Sequence, residues 1–197
     1  MKYAGNVEAV SLLNPDYMGF IFYEGSSRFV GEPDCSIFTK IPSHIKKIGV
    51  FVNEKPETII DITNKYGIFA VQLHGNESVS DCRKIRNAGL TVIKAFSICN
   101  YIETSRYADV ADYFLFDTKG KNYGGTGNKF DWKILNQYDG ETPFFLSGGI
   151  TVDDAATIME IQHPCLYGID INSGFETEPA RKDPDKLKNF INKIRQI

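Results

Sequence analysis

Residues 143–171, PFFLSGGITVDDAATIMEIQHPCLYGIDI, decide the fold class of this chain. Two short apolar segments, Pro143–Leu146 and Leu166–Ile171, flank a stretch with helical spacing at Thr151–Ile161. Nearly continuous apolar runs of this length suit strands that are covered on both faces, as in a parallel sheet. We therefore predict a strand–helix–strand unit with parallel strands.

The same alternation extends over the rest of the chain. Further strand-like segments are Tyr17–Tyr23, Ile48–Val52, Phe69–Leu73, Thr91–Phe96 and Tyr113–Asp117. Further stretches of helical period are Asn6–Leu13, Pro56–Tyr66, Ser78–Ala88 and Pro184–Ile194. Two intervals are weaker: Gly31–Ile41 is a poor helix, and residues 119–138 are mostly loop with a turn near Asp131–Leu135. The alternation predicts an α/β fold with a parallel sheet.

Seven strands are compatible with an open doubly wound sheet and with most of a (β/α)8 barrel. The short repeat favours the barrel, and no Gly-x-Gly-x-x-Gly follows the first strand to support dinucleotide binding. The chain starts with the helical stretch Asn6–Leu13, before any strand. We therefore expect a single domain over residues 1–197, a (β/α)8 barrel whose first strand is absent from the given sequence.

Composition narrows the class of protein. The chain has 197 residues, and 22 Lys+Arg against 25 Asp+Glu give a net charge of −3, with 42% hydrophobic residues. These values are ordinary for a soluble globular protein and exclude a disordered chain, a collagen-like fibre and a disulfide miniprotein. A pI near 5.7 without a basic block argues against a nucleic-acid partner.

The apolar segments, the N-terminus and the cysteines together predict the cellular location. The longest apolar run, Tyr17–Tyr23, is too short to span a bilayer, which needs roughly 20 residues. The N-terminus lacks the apolar region of a signal peptide, and the four cysteines are scattered without metal-ligand spacing. We expect a cytoplasmic protein without membrane contact, and we see no metal site.

Two glycine-containing loops follow the last two strands. Gly148 and Gly149 lead from a strand into a helix, and the next strand ends in Asp170 followed by Ser173 and Gly174. Glycines allow close backbone approach, and main-chain N–H groups at a helix start bind anions. Loops after the last two strands of a (β/α)8 barrel are the usual phosphate site. We therefore predict that these loops bind a phosphate group.

Three side chains at other strand ends are candidates for chemistry. Asp117 ends the strand YFLFD, where apolar walls would raise its pKa and suit it to act as a general acid. The following loop, with Gly125 at its centre, suits close approach to substrate. Arg28 follows the first strand and could pair with a substrate carboxylate, and His74 could contact the ligand or make an ordinary loop hydrogen bond.

An ordered set of motifs resembles the phosphoribosylanthranilate isomerase family of tryptophan biosynthesis, over almost the whole chain. The matching stretches are Pro15–Tyr23, Ser27–Val30, Val50–Asn53, Val71–Gly75, Phe116–Asp117, Gly124–Gly127, Leu146–Ile150 and Asp170–Glu176. The resemblance implies a (β/α)8 barrel that needs no cofactor. It also implies a small phosphorylated substrate, N-(5-phosphoribosyl)anthranilate, which undergoes an Amadori rearrangement to the 1-deoxyribulose phosphate.

Roles of individual residues come from the same resemblance. Asp117 would protonate the furanose ring oxygen, and a Cys at the end of strand one would act as general base at the sugar C2. Arg28 would hold the anthranilate end. The Gly148-Gly149 and Ser173-Gly174 loops would hold the phosphate.

The chain departs from the family at its start. The family begins with a strand that ends in a Lys-x-Cys-Gly-Met type pattern, whose Met aligns with Met1, so the catalytic Cys would lie two residues before it. Of the cysteines present, only Cys99 follows a strand end. We expect a late start assignment or a truncation, and near-inactivity, since loss of a general base costs about 10²–10⁴-fold.

Other readings stay open. A ribulose-phosphate epimerase should show metal-ligand His and Asp residues at strand ends, and an indole-glycerol-phosphate synthase should show a strand-end Lys paired with Glu, a pattern that Lys94 does not match. A catalytically dead barrel that only binds a phosphorylated ligand is supported by the missing Cys and opposed by Asp117 and Arg28. The sequence does not decide between monomer and homodimer.

Overall fold

The protein is described by a computed structural model that covers residues 1–98, 102–118 and 131–195. Seven strands form one sheet in chain order, with every neighbouring pair parallel. They are β1 (Tyr17–Ile21), β2 (Lys46–Phe51), β3 (Ala70–Leu73), β4 (Thr91–Ile98), β5 (Tyr113–Thr118), β6 (Phe144–Leu146) and β7 (Leu166–Ile169). All seven predicted strands are confirmed.

Helices lie between most of these strands. They are α1 (Ala4–Ser11), α2 (Cys35–Thr39), α3 (Pro56–Tyr66), α4 (Val79–Asn87), α5 (Ala155–Met159) and α6 (Pro184–Ile194). Short 3₁₀ turns span Ser105–Tyr107, Trp132–Gln137, Val152–Asp154 and Ser173–Phe175. A small hairpin, β8 (Glu176–Glu178) with β9 (Arg181–Lys182), precedes α6.

Local sequence signals explain where the helices begin. Asp183 caps α6 by accepting from the backbone N–H groups of Asp185 and Lys186, with Pro184 at the first helical position. A capping box at Thr151, of the Ser/Thr-x-x-acid kind, starts the turn that leads into α5. Gly31–Ile41, a poor helix by its pattern, contains only the short α2.

The sheet curls so that its two ends approach each other. The Tyr17 hydroxyl of β1 lies 3.0 Å from the Tyr167 hydroxyl of β7, although the two residues are 150 positions apart. The Tyr17 ring also packs edge-on against Phe145 of β6 at 5.6 Å between centroids. These contacts identify the architecture as a curled seven-stranded parallel sheet. They do not establish the predicted (β/α)8 barrel with an absent first strand.

Two apolar layers lie on the two faces of this sheet. The smaller layer lines the concave interior and consists of Ile48, Ala70, Ile93, Ala95, Leu115 and Phe145. The larger layer lies between the convex face and the helices, and Phe51, Val71, Leu73, Ile85 and Phe116 are among its fully buried members. Burial on both faces explains the continuous apolar strand sequences.

β1 and β7 are the edges of the sheet in the part of the chain that the structure describes. The ammonium group of Met1 lies beside β1 and donates to the carbonyl of Gly19 at 2.6 Å. Burial, and then the charge of Lys182, lower the pKa of this ammonium group from 8.0 to about 5. Within residues 1–98, 102–118 and 131–195, no helix combines the length and apolar character needed to cross a bilayer.

Candidate active site

A cavity of about 820 Å³ lies along the concave face and extends to the carboxyl ends of the strands. Strand alternation places Tyr113, Leu115 and Asp117 of β5 on the same face, so the carboxylate at the strand end points into this space. The predicted residues that line the cavity are Arg28, His74, Asp117, Gly148, Gly149, Asp170, Ser173 and Gly174. Gly125, also predicted, lies outside the described residues.

His74 and Asp117 lie next to each other at the mouth. The His74 Nε2 atom is 3.2 Å from Asp117 Oδ2, and the two side chains are only 15% and 14% exposed. The other ring nitrogen, Nδ1, lies 3.3 Å from the side-chain amide nitrogen of Gln72. His74 therefore connects a buried amide inside the sheet to the carboxylate that was predicted to act as an acid.

Asp170 is a second carboxylate in the cavity. Ser147 at the end of β6 donates its hydroxyl to Asp170 Oδ2 at 3.0 Å. Burial, and then the negative charge of Asp117, raise the pKa of Asp170 above its ordinary value of 3.8. Two carboxylates with unequal environments therefore face one space, an arrangement that suits proton transfer.

The two predicted phosphate loops lie against each other. Gly148 and Gly149 adopt positive φ values of 99° and 63°, which L side chains rarely adopt. A Cβ atom added to Gly174 would collide with the carbonyl oxygen of Ile150 and lie 3.3 Å from Thr151 Cγ2. The loops after β6 and β7 are therefore in van der Waals contact, and both require glycine for backbone reasons.

Arg28 lies beside the cavity in a pair with Glu176. Its Nε and Nη2 atoms donate to the Glu176 carboxylate at 2.7–3.0 Å, and the side chains are 15% and 5% exposed. Burial acts to raise the pKa of Glu176, but Arg28 and Lys182 outweigh it and the pKa is lowered. The guanidinium that was predicted to pair with a substrate carboxylate is thus bound to an acid of the chain itself.

Lys182 completes this buried cluster. Its ammonium group donates to Glu176 Oε1 at 2.9 Å and to both the main-chain and side-chain oxygens of Asn172. Burial lowers the pKa of Lys182. The lysine therefore ties the loop after β7 to the small hairpin before α6.

A second buried ion pair lies behind the loop that carries His74. Lys94 Nζ donates to Glu77 Oε2 at 3.1 Å, and the two side chains are 3% and 2% exposed. Neither Lys182 nor this pair was predicted. The one sequence signal was a lysine inside the apolar strand TVIKAF, since an ammonium group is not buried without a partner.

The described cysteines lie away from the cavity. Cys35 is exposed on α2, and the thiol of Cys165 lies 3.4 Å from the carbonyl of Gly140. Cys82 is buried in α4, and burial raises the pKa of its thiol to about 11. None of these three supplies a thiolate at the mouth, and Cys99 lies outside the described residues.

Comparison with known proteins gives consistent results along the whole chain. Residues 2–193 match the family model described as N-(5'phosphoribosyl)anthranilate (PRA) isomerase. The N-(5'-phosphoribosyl)anthranilate isomerase of Parabacteroides distasonis is 46% identical over 199 residues, covering 98% of this chain and 90% of the relative. The enzyme of that name from Phocaeicola vulgatus is 42% identical over 200 residues, covering 100% and 95%.

Solved structures agree with these relatives. Phosphoribosyl anthranilate isomerase from Thermotoga maritima superimposes with a TM-score of 0.86 at 32% identity, covering 100% of this chain and 96% of that one. A phosphoribosyl anthranilate isomerase in complex with reduced 1-(o-carboxyphenylamino)-1-deoxyribulose 5-phosphate gives a TM-score of 0.84 at 31% identity, with the same coverage.

Proposed function

Since the chain belongs to the N-(5'-phosphoribosyl)anthranilate isomerase family and is an isomerase of tryptophan biosynthesis, we propose how its residues carry the Amadori rearrangement. One observation carries the assignment. Asp117 and the two glycine loops line the same cavity at the carboxyl ends of the strands. A phosphorylated sugar held by the loops would therefore present its ring to a carboxyl group.

Asp117 is proposed as the general acid. Its protonated carboxyl gives a proton to the furanose ring oxygen as the C1–O bond breaks, and the anthranilate nitrogen lone pair forms the C=N bond of a Schiff base. A general base then removes the proton from C2 to give an enolamine. Ketonisation at C2, with protonation at C1, yields the 1-deoxyribulose phosphate. The proximity of His74 and Asp170 to Asp117 supports this role.

The phosphate is proposed to bind main-chain N–H groups of Gly148, Gly149, Ser173 and Gly174. The close contact between Gly174 and the carbonyl of Ile150 supports this, because it brings both loops to one place. Gly148 and Gly149 have positive φ values and line the cavity, and successive main-chain N–H groups in such turns can form anion-binding concavities. Asp170, next to these loops, is proposed to contact the sugar.

Arg28 is proposed to hold the anthranilate carboxylate. Its pairing with Glu176 supports a fixed position for the guanidinium, because two donors point at one acid. The loop around Gly125 is proposed to approach the substrate from the other side. His74 is proposed to contact the ligand through the same mouth.

The general base is proposed to be a Cys on a strand that would fill the space between β1 and β7. No described cysteine lines the cavity, and β1 and β7 are the two end strands of the sheet within the described residues. A strand at this position would complete a (β/α)8 barrel. A polypeptide that lacks this Cys is therefore proposed to be nearly inactive, because it would have no general base at C2.

The test compares the chain from Met1 with a chain extended by a strand of Lys-x-Cys-Gly pattern. Loss of phosphoribosylanthranilate fluorescence gives turnover, and calorimetry with reduced 1-(o-carboxyphenylamino)-1-deoxyribulose 5-phosphate gives binding. We expect the extension to restore turnover, and replacement of its Cys by Ser to abolish it again. Full activity of the chain from Met1 would refute the missing-base proposal.

The second candidate function is a barrel that binds a phosphorylated ligand without turnover. The absence of a cavity-lining cysteine among the described residues favours it. Retained binding without turnover in both chains would establish this alternative. Turnover in the extended chain that is lost in Asp117→Asn would exclude it.

The cellular setting is also proposed. A single-domain biosynthetic enzyme of this composition is proposed to work in the cytoplasm, as a monomer or a homodimer. One structural neighbour, from Thermotoga maritima, is described as mutually generated monomers of a dimeric enzyme, with a TM-score of 0.84. Light scattering on the purified chain would decide between the two states.

A further inference from the structure

Gln72, His74 and Asp117 form a row of hydrogen-bonding groups across the concave face. Gln72 and His74 are two residues apart at the end of β3, so their side chains share that face. The Gln72 amide nitrogen lies 3.3 Å from His74 Nδ1, and His74 Nε2 lies 3.2 Å from Asp117 Oδ2. The row leads from the buried interior to the proposed general acid.

The chemistry of an amide nitrogen decides where the imidazole proton lies. In the structure the Gln72 amide nitrogen faces Nδ1. Since an amide NH₂ group only donates, this placement corresponds to an Nδ1 atom that accepts and carries no proton. The ring proton then lies on Nε2 and points at Asp117 Oδ2. The reverse arrangement, with the Gln72 oxygen accepting from Nδ1–H, would require Asp117 itself to donate a proton to Nε2.

We propose that Gln72 is a positioning residue that fixes the tautomer of His74, so that His74 donates a hydrogen bond from Nε2 to Asp117. The proposal rests on the role assigned above to Asp117. An amide N–H group that faces Nδ1 also disfavours a proton on that atom, because two donors would then face each other. Asp117 Oδ2 accepts this hydrogen bond, so the proton that the general acid transfers lies on the other oxygen, Oδ1.

The backbone around His74 is held independently of its ring. Lys94 Nζ donates to the carbonyls of Leu73 at 3.0 Å and Gly75 at 2.8 Å, on either side of His74. The Glu77 carboxylate accepts from the backbone N–H of Gly75 at 3.0 Å. Lys94 and Glu77 therefore hold the main chain on both sides of His74. The contribution left for Gln72 is to determine which ring nitrogen of His74 carries the proton.

Gln72 is a polar residue that lines the cavity among apolar neighbours in the sheet. It is 7% exposed, and its neighbours across the sheet are Val50 on β2 and Ile93 on β4. A buried amide among apolar side chains costs free energy unless it is hydrogen-bonded. An apolar side chain of the same length, as in Gln72→Met, would pack at this position without the hydrogen bond.

The test reads the proton directly, by long-range ¹H–¹⁵N correlation spectra of the ¹⁵N-labelled chain at pH 8. The chain has three histidines, and His44→Gln and His163→Gln variants assign the signals. We expect His74 to be protonated at Nε2 in the parent, doubly protonated in Gln72→Glu, and a mixture of tautomers in Gln72→Met. Protonation of parent His74 at Nδ1, or an unchanged ring in Gln72→Glu, would overturn the proposal.

His163 is an internal control. Its Nδ1 accepts from the backbone N–H of Cys165 at 3.1 Å, and its Nε2 lies 3.1 Å from the Tyr138 carbonyl. Its signals should therefore report an Nε2 proton in the parent and in both Gln72 variants. If Gln72→Glu does not fold, the Gln72→Met spectrum still decides, because a single unchanged tautomer there contradicts the proposal.

An activity measurement on the strand-extended chain distinguishes the positioning role of Gln72 from the general-acid role of Asp117. We expect Gln72→Met to lower kcat about tenfold, a fraction of the 10²–10⁴-fold effect of a general acid, with KM changed less than twofold. Full activity of Asp117→Asn would refute the general-acid role and leave the tautomer result standing. Normal turnover of the parent with an Nδ1-protonated His74 would refute only the role of Gln72.

Discussion

Arg28 and Glu176 form a bidentate ion pair between the segment after β1 and the hairpin before α6, across 148 positions of sequence. Lys182 donates to the same carboxylate at 2.9 Å. One buried acid is therefore shared by two cations beside the cavity. The pair also links the segment after β1 to the hairpin that follows β7, so it contributes to the curled shape as well as to the site.

We expect Glu176→Ala to destabilise the fold strongly. It leaves the buried cations of Arg28 and Lys182 without their shared acceptor, and breaking a buried pair in this way costs about 3–5 kcal/mol. The matched control is Glu178→Ala, whose pair with Arg181 is more than half exposed and should contribute at most about 1 kcal/mol. Urea unfolding of both variants measures the difference, and equal losses would contradict the expectation.

The Lys94–Glu77 pair allows a second comparison between a buried and an exposed pair. Lys94→Met removes the cation but leaves a carboxylate that is 2% exposed, so we expect a loss of about 3–5 kcal/mol. Lys84→Met breaks the exposed pair with Glu57 and should cost at most about 1 kcal/mol. Thermal and urea unfolding report both, and a small effect of Lys94→Met would show that the carboxylate reaches solvent.

Much of the fold follows from short-range patterns. Strands such as Tyr113–Thr118 are predictable because burial on both faces demands continuous apolar residues, and α6 because Asp183 and Pro184 mark its start. The hairpin β8–β9 is not predictable in this way, since strands of three and two residues have no period to detect. The hairpin is instead held in place by tertiary contacts, those of Glu176 with Arg28 and of Lys182 with Asn172.

In the candidate site, too, local patterns predict some residues, and others depend on tertiary structure. Asp117, His74 and the glycine loops were found because they follow strand ends, and parallel strands bring those ends to one edge. The pairing of Arg28 with Glu176 depends on how the sheet curls, which no local pattern encodes. The role of Gln72 was missed because a polar residue in the run FAVQLHG is visible, but its partner is known only once side-chain directions are fixed.

The pH dependence of stability should reveal the buried carboxyl of Asp170. Burial and the charge of Asp117 raise its pKa from 3.8 in the folded state, so the folded chain binds more protons than the unfolded chain between the two values. The contribution of Asp170 to stability therefore falls as pH rises through that window. Asp170→Asn removes the titrating carboxyl group, and the amide oxygen of the new asparagine can still accept from the Ser147 hydroxyl.

Urea unfolding of the parent and of Asp170→Asn at a series of pH values from about 4 to about 8 measures the pH-dependent contribution of Asp170 to the free energy of unfolding. The variant should gain stability relative to the parent as pH rises, and the difference should level off above the raised pKa. Comparing the two proteins at each pH cancels the other titrating groups. A difference that is independent of pH would show that the carboxyl titrates normally.

Gly174→Ala tests whether contact between the two loops matters for binding. The added Cβ would meet the Ile150 carbonyl oxygen, a main-chain atom that cannot move without displacing the loop that carries Gly148 and Gly149. We expect at least a tenfold weaker affinity for a phosphorylated ligand, because the N–H groups proposed to hold the phosphate separate. The control is Gly5→Ala in α1, where an added Cβ meets nothing within 4 Å and raises helix propensity by roughly 0.5–1 kcal/mol. Calorimetry with reduced 1-(o-carboxyphenylamino)-1-deoxyribulose 5-phosphate gives both affinities, and unchanged binding in Gly174→Ala would place the phosphate away from these loops.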